Sequence, residues 1–173
     1  MDLVNLKSIS SEKEKSLVFM WRNQEHIRKV MFHSEIILWE DHLNWLSKIN
    51  NTTNIVKIFY YKGIPMGVVN FKLINEEEKI FEWGFYIGDK RAPKGAGTVM
   101  GYTALNFIKK DHCAKKILGD VIEFNKISCA YHKKLGFQMV KVLSNKYERN
   151  GVFYDVYKYI LDLDKVEVID NLW

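Results

Sequence analysis

The chain has 173 residues, of which 47% are apolar and 14% aromatic. This composition suffices for one buried core, so we expect a single domain over residues 1–173. No run approaches the roughly 20 apolar residues of a membrane span, and the N-terminus lacks the apolar stretch of a signal peptide, so we expect a cytoplasmic protein with no membrane partner. The net charge of +5 comes from 26 basic residues scattered among 21 acidic ones, a pattern that disfavours a nucleic-acid partner. The two cysteines lack the CxxC spacing of metal sites, and we expect no metal.

The first third of the chain predicts one short strand and two helices. Residues 3–10, LVNLKSIS, alternate weakly between apolar and polar side chains, as is typical of a strand. Ser11 and Glu14 have the spacing of a capping box ahead of an apolar run, which predicts a helix that ends near Asn23. Apolar residues recur at helical spacing over residues 38–49 and indicate a second helical region.

The remaining two thirds of the chain predict strands that alternate with helices. Residues 54–74 indicate two strands joined by a tight turn, and residues 79–87 indicate a third, which together favour an antiparallel meander. Apolar residues over 99–108 fall at helical spacing. A strand, a helix and a final pair of strands are predicted at residues 115–124, 125–136, 137–143 and 152–161. A helix between two neighbouring strands implies parallel pairing, so we expect a mixed sheet in the order βααβββαβαββ.

Residues 91–100, RAPKGAGTVM, place two glycines between the third strand of the meander and a helix. Backbone N–H groups at such a helix start lack partners and converge on one spot, where the helix dipole also favours negative charge. This turn therefore suits a phosphate group, although an ordinary strand-to-helix turn has the same pattern. Neither nucleotide motif fits, because GxxxxGK[ST] is absent and GxGxxG fails at residue 100, which is Met.

Two segments of the chain resemble a known family. KGAGTVM opens a helix after the strand FEWGFYI, and NKISCAYHKKLGF follows later in the chain; together they resemble the acetyl-CoA-binding core of the GNAT superfamily of N-acetyltransferases. The resemblance covers roughly residues 55–160. It implies an α/β (α+β) architecture, the GNAT acyl-CoA N-acyltransferase fold, with a mixed, mostly antiparallel sheet of six to seven strands. About four helices and a splayed central parallel pair of strands belong to this expectation.

The resemblance also implies where acetyl-CoA, the co-substrate, binds. The glycine loop would hold the pyrophosphate through its backbone, and the helix that starts at Asn125 would flank the pantetheine arm. The residues implied in coenzyme binding are Ile87, Lys94, Gly95, Ala96, Gly97, Thr98, Asn125 and Ser128. The family usually has Gln or Arg three residues before the first glycine of the loop. Ala92 stands there in this chain, with Arg91 one step early, so no contact is assigned to Arg91.

In the resembling family, two parallel strands separate, and the resemblance places this separation at residues 86–88 against 121–123. The free N–H and C=O groups there would bond the extended pantetheine as if it were another strand. The acetyl thioester would then lie in the gap between the strands. Its carbonyl oxygen would face a backbone donor near Ile87, which would stabilise the negative charge that develops on that oxygen.

Direct transfer of acetyl to an amine needs a general base on the acceptor side and an acid beside the sulfur. Strand alternation places Glu82 and Tyr86 on one face, which makes Glu82 a candidate base, the alternative being a solvated glutamate. The family places the acid, a tyrosine, seven residues after Asn125, where this chain has His132 directly after Tyr131. Only one of these two can face the sulfur, because one residue turns a helix side chain by about 100°. We favour His132, since imidazole titrates near neutrality; the alternative is a surface helix residue.

The N-terminal third carries the features of the acceptor side. Residues 20–46, MWRNQEHIRKVMFHSEIILWEDHLNWL, resemble the GNAT subgroup that acetylates UDP-linked amino sugars in pseudaminic acid biosynthesis, where W-R-N, a downstream V/I-R-x-x-M and H-x-x-W/F recur. Arg22 has a rigid fork suited to a diphosphate. His42 lies on an apolar stripe, where a substrate contact and a core histidine both remain open. Lys72 and Tyr86 complete the candidate substrate contacts, with a solvated strand lysine as the alternative for Lys72.

The predicted function is therefore acetyl-CoA-dependent N-acetylation in a ternary complex. The acceptor would be the 4-amino group of a UDP-linked 4-amino-4,6-dideoxy-N-acetylhexosamine, a precursor of nonulosonate sugars such as those on flagellin. A second hypothesis is acetylation of a protein N-terminus or a polyamine, which would share the coenzyme half. A third is a non-catalytic module that binds acyl-CoA or nucleic acid, and the scattered cations disfavour the nucleic-acid version. The sequence is compatible with a homodimer.

Overall fold

The computed structural model describes residues 3–49 and 53–165. Within these ranges, seven strands form one sheet in the spatial order β1-β2-β3-β4-β5-β7-β6. The strands are β1 (Val4–Lys7), β2 (Asn54–Tyr61), β3 (Ile64–Asn75), β4 (Ile80–Ile87), β5 (Lys116–Ile122), β6 (Gln138–Arg149) and β7 (Val152–Asp162). Neighbouring strands pair antiparallel except β4 and β5, which pair parallel. The predicted mixed, mostly antiparallel sheet is confirmed.

The helices follow the predicted order with one addition. They are α1 (Glu12–Arg22), α2 (Glu25–Arg28), α3 (Trp39–Leu46), α4 (Ala96–His112) and α5 (Lys126–Lys134), and a 3₁₀ turn (Leu163–Lys165) follows β7. The sequence does not predict α2, because a helix of four residues is about one turn long and leaves no apolar repeat. In the described ranges, no helix combines the length and the apolar content needed to cross a membrane.

Different helices cover the two faces of the sheet. The largest core cluster packs α4 and α5 on one face, and a second cluster packs α1 on the other. Alternation along β4 directs Phe81 and Trp83 to the α4 face and Glu82 and Tyr86 to the α1 face. A ligand that passes between β4 and β5 therefore connects the two faces.

The start of α1 is tied to the sheet by a capping box. Ser11 accepts a hydrogen bond from the Glu14 backbone N–H, and the Glu14 carboxylate accepts one from the Ser11 N–H at 2.8 Å, as predicted. The same carboxylate accepts a bond from the Tyr60 hydroxyl at 2.7 Å. Glu14 thus joins α1 to β2, on the face that carries the predicted acceptor-side residues.

β4 and β5 separate early. Their parallel pairing covers only Ile80–Glu82 against Lys116–Leu118, so the strands part from Trp83 and Gly119 onward. The expected separation at residues 86–88 against 121–123 is thus present but begins sooner. Where the strands part, Gly119 leaves room for two rings, because a Cβ atom there would overlap the His132 imidazole and lie 3.1 Å from the Trp83 indole nitrogen.

β6 is longer than the sequence predicts. The apolar pattern ends at Leu143, but the strand continues to Arg149 and pairs with β7 up to the Arg149–Val152 pair. β6 is the last strand of the sheet and most of its residues are exposed, so polar residues extend it without any cost of burial. The long hairpin brings Tyr147 and Arg149 to the segment between α2 and α3.

Candidate active site

The gap between β4 and β5 exposes backbone groups of β4. The Gly88 N–H donates to the Met66 carbonyl of β3, so the even-numbered residues of β4 direct their backbone groups to β3 and the odd-numbered ones direct theirs to β5. Because the pairing with β5 ends at Glu82, the N–H and C=O groups of Phe85 and Ile87 face the gap. Such groups can bond an extended ligand as a strand would.

The glycine loop ends in a cap that only glycine adopts easily. Gly95 has φ 95° and is the N-cap of the 17-residue helix α4, in the left-handed region where other residues are strained. The Ala96 N–H donates to the Pro93 carbonyl at 3.0 Å. The next two N–H groups, of Gly97 and Thr98, lie in the first turn and have no acceptor within the helix. They remain to bind an anion, together with the N-terminal dipole.

The cations around this loop differ from those that the sequence suggests. Arg91 is exposed and bound to the Asp89 carboxylate at 2.7 Å, and Lys94 is exposed. The Lys134 ammonium lies 3.0 Å from the Thr98 hydroxyl at the start of α4, although sequence reasoning does not select it. Its position two residues after His132 is the only sequence signal that points to it.

Asn125 and Ser128 build the start of α5. The Asn125 side-chain oxygen accepts the Ser128 N–H at 3.1 Å, which makes Asn125 the N-cap. The Ser128 carbonyl accepts from His132 Nδ1 at 2.8 Å. Their polar groups thus fix the first turn of the helix beside the end of β5.

His132 is a buried residue, 2% exposed, so the alternative of a surface position is wrong. Its Nε2 accepts a hydrogen bond from the Trp83 indole N–H at 3.1 Å, and its Nδ1 lies 2.8 Å from the Ser128 carbonyl. A neutral imidazole with its proton on Nδ1 satisfies both contacts. Burial lowers the pKa of His132, which also favours the neutral form. In this arrangement no imidazole proton points into the gap.

Tyr131 lies on a different side of α5. Its hydroxyl donates to the Gly97 carbonyl at 2.5 Å, and its ring approaches the Gly97 Cα on the same side as Ile87. Burial raises the pKa of the Tyr131 phenol above its ordinary value, so the hydroxyl keeps its proton at neutral pH. Tyr131 therefore carries a proton beside the loop and the gap.

A cavity of about 900 Å³ lies on the α1 face of the sheet. Its floor is β2, β3 and β4, and its walls are α1, α3 and residues 31–37. All five acceptor-side residues predicted from the sequence line it, namely Arg22, His42, Lys72, Glu82 and Tyr86. The tertiary structure thus brings together residues that are up to 64 positions apart in the printed sequence.

The floor of the cavity is a polar strip on β3 and β4. Lys72 lies opposite Glu82, and Asn70 lies opposite Gly84. The Asn70 side chain lies across Gly84, where a Cβ atom would come within 2.7 Å of the Asn70 side-chain oxygen. Sequence reasoning missed Asn70, although its alternation with Lys72 on β3 places both on one face. The strip offers a carboxylate, an ammonium and an amide to a polar ligand.

Arg22 directs part of its guanidinium into this cavity. Its Nη2 donates to the His33 carbonyl at 2.8 Å, whereas its Nη1 is buried and has no partner among the described residues. Burial lowers the pKa of Arg22, and the nearby Tyr86 opposes that shift. Arginine nonetheless stays protonated. A buried cationic donor without an acceptor is costly by itself, and an anionic ligand would satisfy it.

His42 joins α3 to α1. It is 3% exposed, and its Nε2 lies 2.9 Å from the Lys15 carbonyl. The rings of Phe19, Trp39 and Trp45 surround it at 5.4–5.5 Å, and burial lowers its pKa. These contacts fit a core histidine, although its position on the cavity wall also leaves a ligand contact open.

Asn23 and Arg28, from the motifs that resemble the amino-sugar subgroup, hold the cavity wall instead of lining it. The Asn23 amide exchanges two hydrogen bonds with the Ile37 backbone, at 2.9 and 2.8 Å. Arg28 donates to the Ser34 carbonyl at 2.7 Å. Within the described residues, no group of three or more His, Cys, Asp or Glu side chains is arranged to hold a metal ion.

This fold, with a parallel pair that separates beside a glycine-capped helix, is that of an acyl-CoA N-acyltransferase. Residues 18–137 match the Acetyltransferase (GNAT) family. The chain therefore belongs to the GNAT family of acetyltransferases, and the family resemblance of its motifs is confirmed. A search of curated proteins finds no match to this chain, and nothing in these comparisons singles out the amino-sugar subgroup.

Several solved structures share the fold. A spermidine N-acetyltransferase from Vibrio cholerae, in complex with CoA and spermine, superposes with a TM-score of 0.85 at 17% identity, over 94% of this chain and 97% of that chain. The microcin C7 self-immunity acetyltransferase, in complex with acetyl-CoA and AMP, gives 0.76 at 22% identity, over 94% and 93%. The putative acetyltransferase yncA from Salmonella typhimurium, with acetyl-CoA, gives 0.74 at 14% identity, over 95% and 96%.

Proposed function

We propose that this GNAT acetyltransferase transfers the acetyl group of acetyl-CoA to the 4-amino group of a UDP-linked 4-amino-4,6-dideoxy-N-acetylhexosamine, on the route to pseudaminic acid or a related surface sugar. The observation that carries the proposal is the buried, unpartnered Arg22 Nη1 at the cavity. Such a donor suits a phosphate oxygen of a nucleotide sugar. The cavity, at about 900 Å³, is at the large end of ligand pockets, which span roughly 300–1,000 Å³.

The coenzyme fits the other face of the sheet. Acetyl-CoA supplies a reactive thioester, whose C–S bond breaks as the amine nitrogen bonds to the acetyl carbon. The N–H groups of Gly97 and Thr98, with the Lys134 ammonium beside them, offer donors for its pyrophosphate. The exposed backbone of Phe85 and Ile87 offers partners for the extended pantetheine, and a β4 N–H in the gap is available to the carbonyl oxygen.

Glu82 is the proposed general base. It belongs to the last pair of residues before β4 and β5 separate, and its carboxylate lines the acceptor cavity. It therefore lies between the two ligands, where an ammonium group must lose a proton before its nitrogen can attack. Lys72, directly opposite Glu82, and Tyr86 are the proposed neighbours of the acceptor.

Of the two candidate acids, the geometry favours Tyr131 over His132. The Tyr131 phenol keeps its proton and lies beside Gly97 and Ile87, on the coenzyme side. To protonate a thiolate, it needs only to exchange the Gly97 carbonyl for the sulfur. Both His132 nitrogens, in contrast, are engaged with Trp83 and Ser128.

Acetylation of a polyamine or a protein N-terminus is the competing function. The structural neighbour that holds spermine and the carboxylates of Glu35, Asp41 and Glu82 along the cavity favour a cationic acceptor. The neighbour that holds AMP and the unpartnered Nη1 of Arg22 favour a nucleotide. An unpaired guanidinium in the cavity would repel a polyamine, and for this reason we place the nucleotide sugar first.

The decisive experiment measures release of free thiol from acetyl-CoA with different acceptors. We expect release with a UDP-4-amino-4,6-dideoxy-N-acetylhexosamine and a KM at least tenfold lower than for spermidine or an N-terminal peptide, since only the nucleotide pairs with Arg22. Release with spermidine or the peptide alone would refute the nucleotide-sugar acceptor. Coenzyme binding without thiol release for any amine would favour a non-catalytic binding module.

A further inference from the structure

One segment of the cavity wall is held from outside by side chains rather than by regular secondary structure. We call residues 29–38, between α2 and α3, the acceptor wall. Six of its backbone carbonyls accept side-chain hydrogen bonds. Arg149 donates to the carbonyls of Lys29 and Met31, Tyr147 to that of Phe32, Arg22 to that of His33, Arg28 to that of Ser34 and Asn23 to that of Ile37.

Arg149 makes the widest set of these contacts. Its Nη1 donates to the Lys29 carbonyl, and its Nη2 donates to the Met31 carbonyl at 2.6 Å. Its Nε donates at 2.9 Å to the Tyr147 hydroxyl, which in turn donates to the Phe32 carbonyl. One guanidinium thus fixes three carbonyls of the wall, two directly and one through a phenol.

The same guanidinium also reaches the coenzyme side. It lies 5.1 Å from the centre of the Phe124 ring and 5.2 Å from that of Tyr147, in the range of a cation–π contact. Phe124 directly precedes Asn125, the N-cap of α5. Arg149 therefore touches both the acceptor wall and the turn that follows β5 at the gap.

From these contacts we infer that Arg149 is a positioning residue for acceptor binding: the tip of the β6–β7 hairpin sets the shape of the acceptor wall. The inference rests on the proposed role of the cavity as the acceptor site. Arg149 itself does not line that cavity, so it acts through the wall, whose Met31 and His33 do. The planar fork is essential, because two carbonyls and a phenol need separate donors in fixed directions.

The test compares three variants in the full chain. Arg149→Met keeps the apolar stem and removes all donors, Arg149→Lys keeps the charge without the fork, and Lys146→Met removes an exposed cation from the same strand as the control. For whichever amine the enzyme acetylates, we expect Arg149→Met to raise the acceptor KM about tenfold. We expect the kcat and the KM for acetyl-CoA to stay within about twofold. Arg149→Lys should recover little of the lost acceptor affinity. The control Lys146→Met should have the kinetic constants of the unaltered chain.

Hydrogen exchange provides a readout that does not depend on the acceptor. In Arg149→Met, amides of residues 29–38 should exchange faster, while those of α4 and the central strands keep their rates. An unchanged acceptor KM together with unchanged exchange would overturn the inference. A parallel loss of kcat, acetyl-CoA affinity and melting temperature would show a merely structural role, and full rescue by Arg149→Lys would show a charge effect only.

The two proposals fail in different ways. If only spermidine or a peptide is acetylated, the nucleotide-sugar acceptor is wrong, but the split between KM and kcat is still measurable with that amine. If the UDP-amino sugar is acetylated and Arg149→Met leaves both its KM and the exchange of the wall unchanged, only the positioning role fails.

Discussion

The proposed coenzyme side and the proposed acceptor side of this enzyme offer different kinds of binding group. On the coenzyme side, the available partners are backbone groups: the N–H groups that follow Gly95 and the strand edge at Phe85 and Ile87. On the acceptor side, they are side chains from α1, α3, β3 and β4, together with a wall held by Arg149 from the far hairpin.

This difference explains why the elements of the proposed coenzyme side can be predicted from local sequence, whereas the arrangement of the proposed acceptor side cannot. A backbone cradle needs only a residue that tolerates a left-handed conformation and a helix that starts in the right place. A side-chain cavity needs exact neighbours from distant segments, and many sequences can supply them. We therefore expect the coenzyme side to respond to changes of backbone conformation and the acceptor side to changes of single polar groups.

The largest expected effects separate the proton transfers of the two sides. Glu82→Gln, on the acceptor side, and Tyr131→Phe, on the coenzyme side, should each lower kcat by about 10²- to 10⁴-fold, as for lost general acids and bases. Raising the pH should partly restore Glu82→Gln, because more of the amine is then already deprotonated, but should not restore Tyr131→Phe. Steady-state rates from pH 6 to 10, with acetyl-CoA affinity as the folding control, measure this contrast.

His132 is the alternative candidate for the acid that protonates the leaving thiolate. If His132→Asn abolishes turnover and leaves the melting temperature unchanged, while Tyr131→Phe keeps its kcat, the acid is His132. The buried contacts of His132 with Trp83 and Ser128 lead us to expect the reverse, a loss of stability with most of the turnover retained in the folded fraction.

Arg22→Met tests the charge recognition of the acceptor side. Without the unpartnered Nη1, the KM for the nucleotide sugar should rise about 10- to 100-fold, the range for a lost hydrogen bond to a charged group. Acetyl-CoA affinity should not change. Arg91→Met is the matched control, because Arg91 is exposed and pairs with Asp89 near the glycine loop. Equal KM values for both variants would contradict the proposal that Arg22 binds the nucleotide of the acceptor.

Gly95→Val tests the backbone recognition of the coenzyme side. Gly95 has φ 95° and open space around its Cα, so valine would be strained by conformation and not by collision. The Kd for CoA should rise about tenfold, as the cap shifts its N–H groups. Gly63→Val, at φ 75° with open space in the β2–β3 turn, introduces the same strain away from the site. Isothermal titration showing unchanged CoA affinity in Gly95→Val would contradict the cradle.

The smallest expected effect concerns the stability of α1, which carries Arg22. Burial raises the pKa of Glu14, but hydrogen bonds from Ser11, Ser10 and Tyr60 lower it more, from 4.5 to about 2. The stabilisation is therefore complete above pH 4.5 and is lost as the pH falls towards 2. Glu14→Gln should flatten the acid limb of a melting-temperature profile, and Glu12→Gln, two residues earlier on the exposed face of α1, should not. Parallel acid limbs for Glu14→Gln and the unaltered chain would contradict this assignment.

Most of the fold follows from local patterns. The capping box of Ser11 and Glu14, the alternation of β2 to β4 and the helix after Gly95 all come from neighbouring residues, and the structure confirms them. The sequence does not predict α2, because a helix of one turn has no apolar repeat. It does not predict the second half of β6 either, because an exposed edge strand tolerates polar residues. Asn70, Lys134 and Arg149 were missed for a related reason: each matters through a partner far away in the chain.

The sequence by itself determined the family, the strand order that puts a glycine-capped helix beside a parallel pair, and the group of polar residues in the N-terminal third. The element order depends on periodicity and on glycine, which act over a few residues, whereas the family and the polar residues of the N-terminal third follow from the resemblance of short motifs. Only the tertiary structure decided that the five acceptor-side residues share one cavity, that His132 is buried while Tyr131 keeps its proton beside Gly97, and that Arg149 holds the acceptor wall. Which polar groups are left unpaired depends on every segment that packs around them, and no local pattern records that.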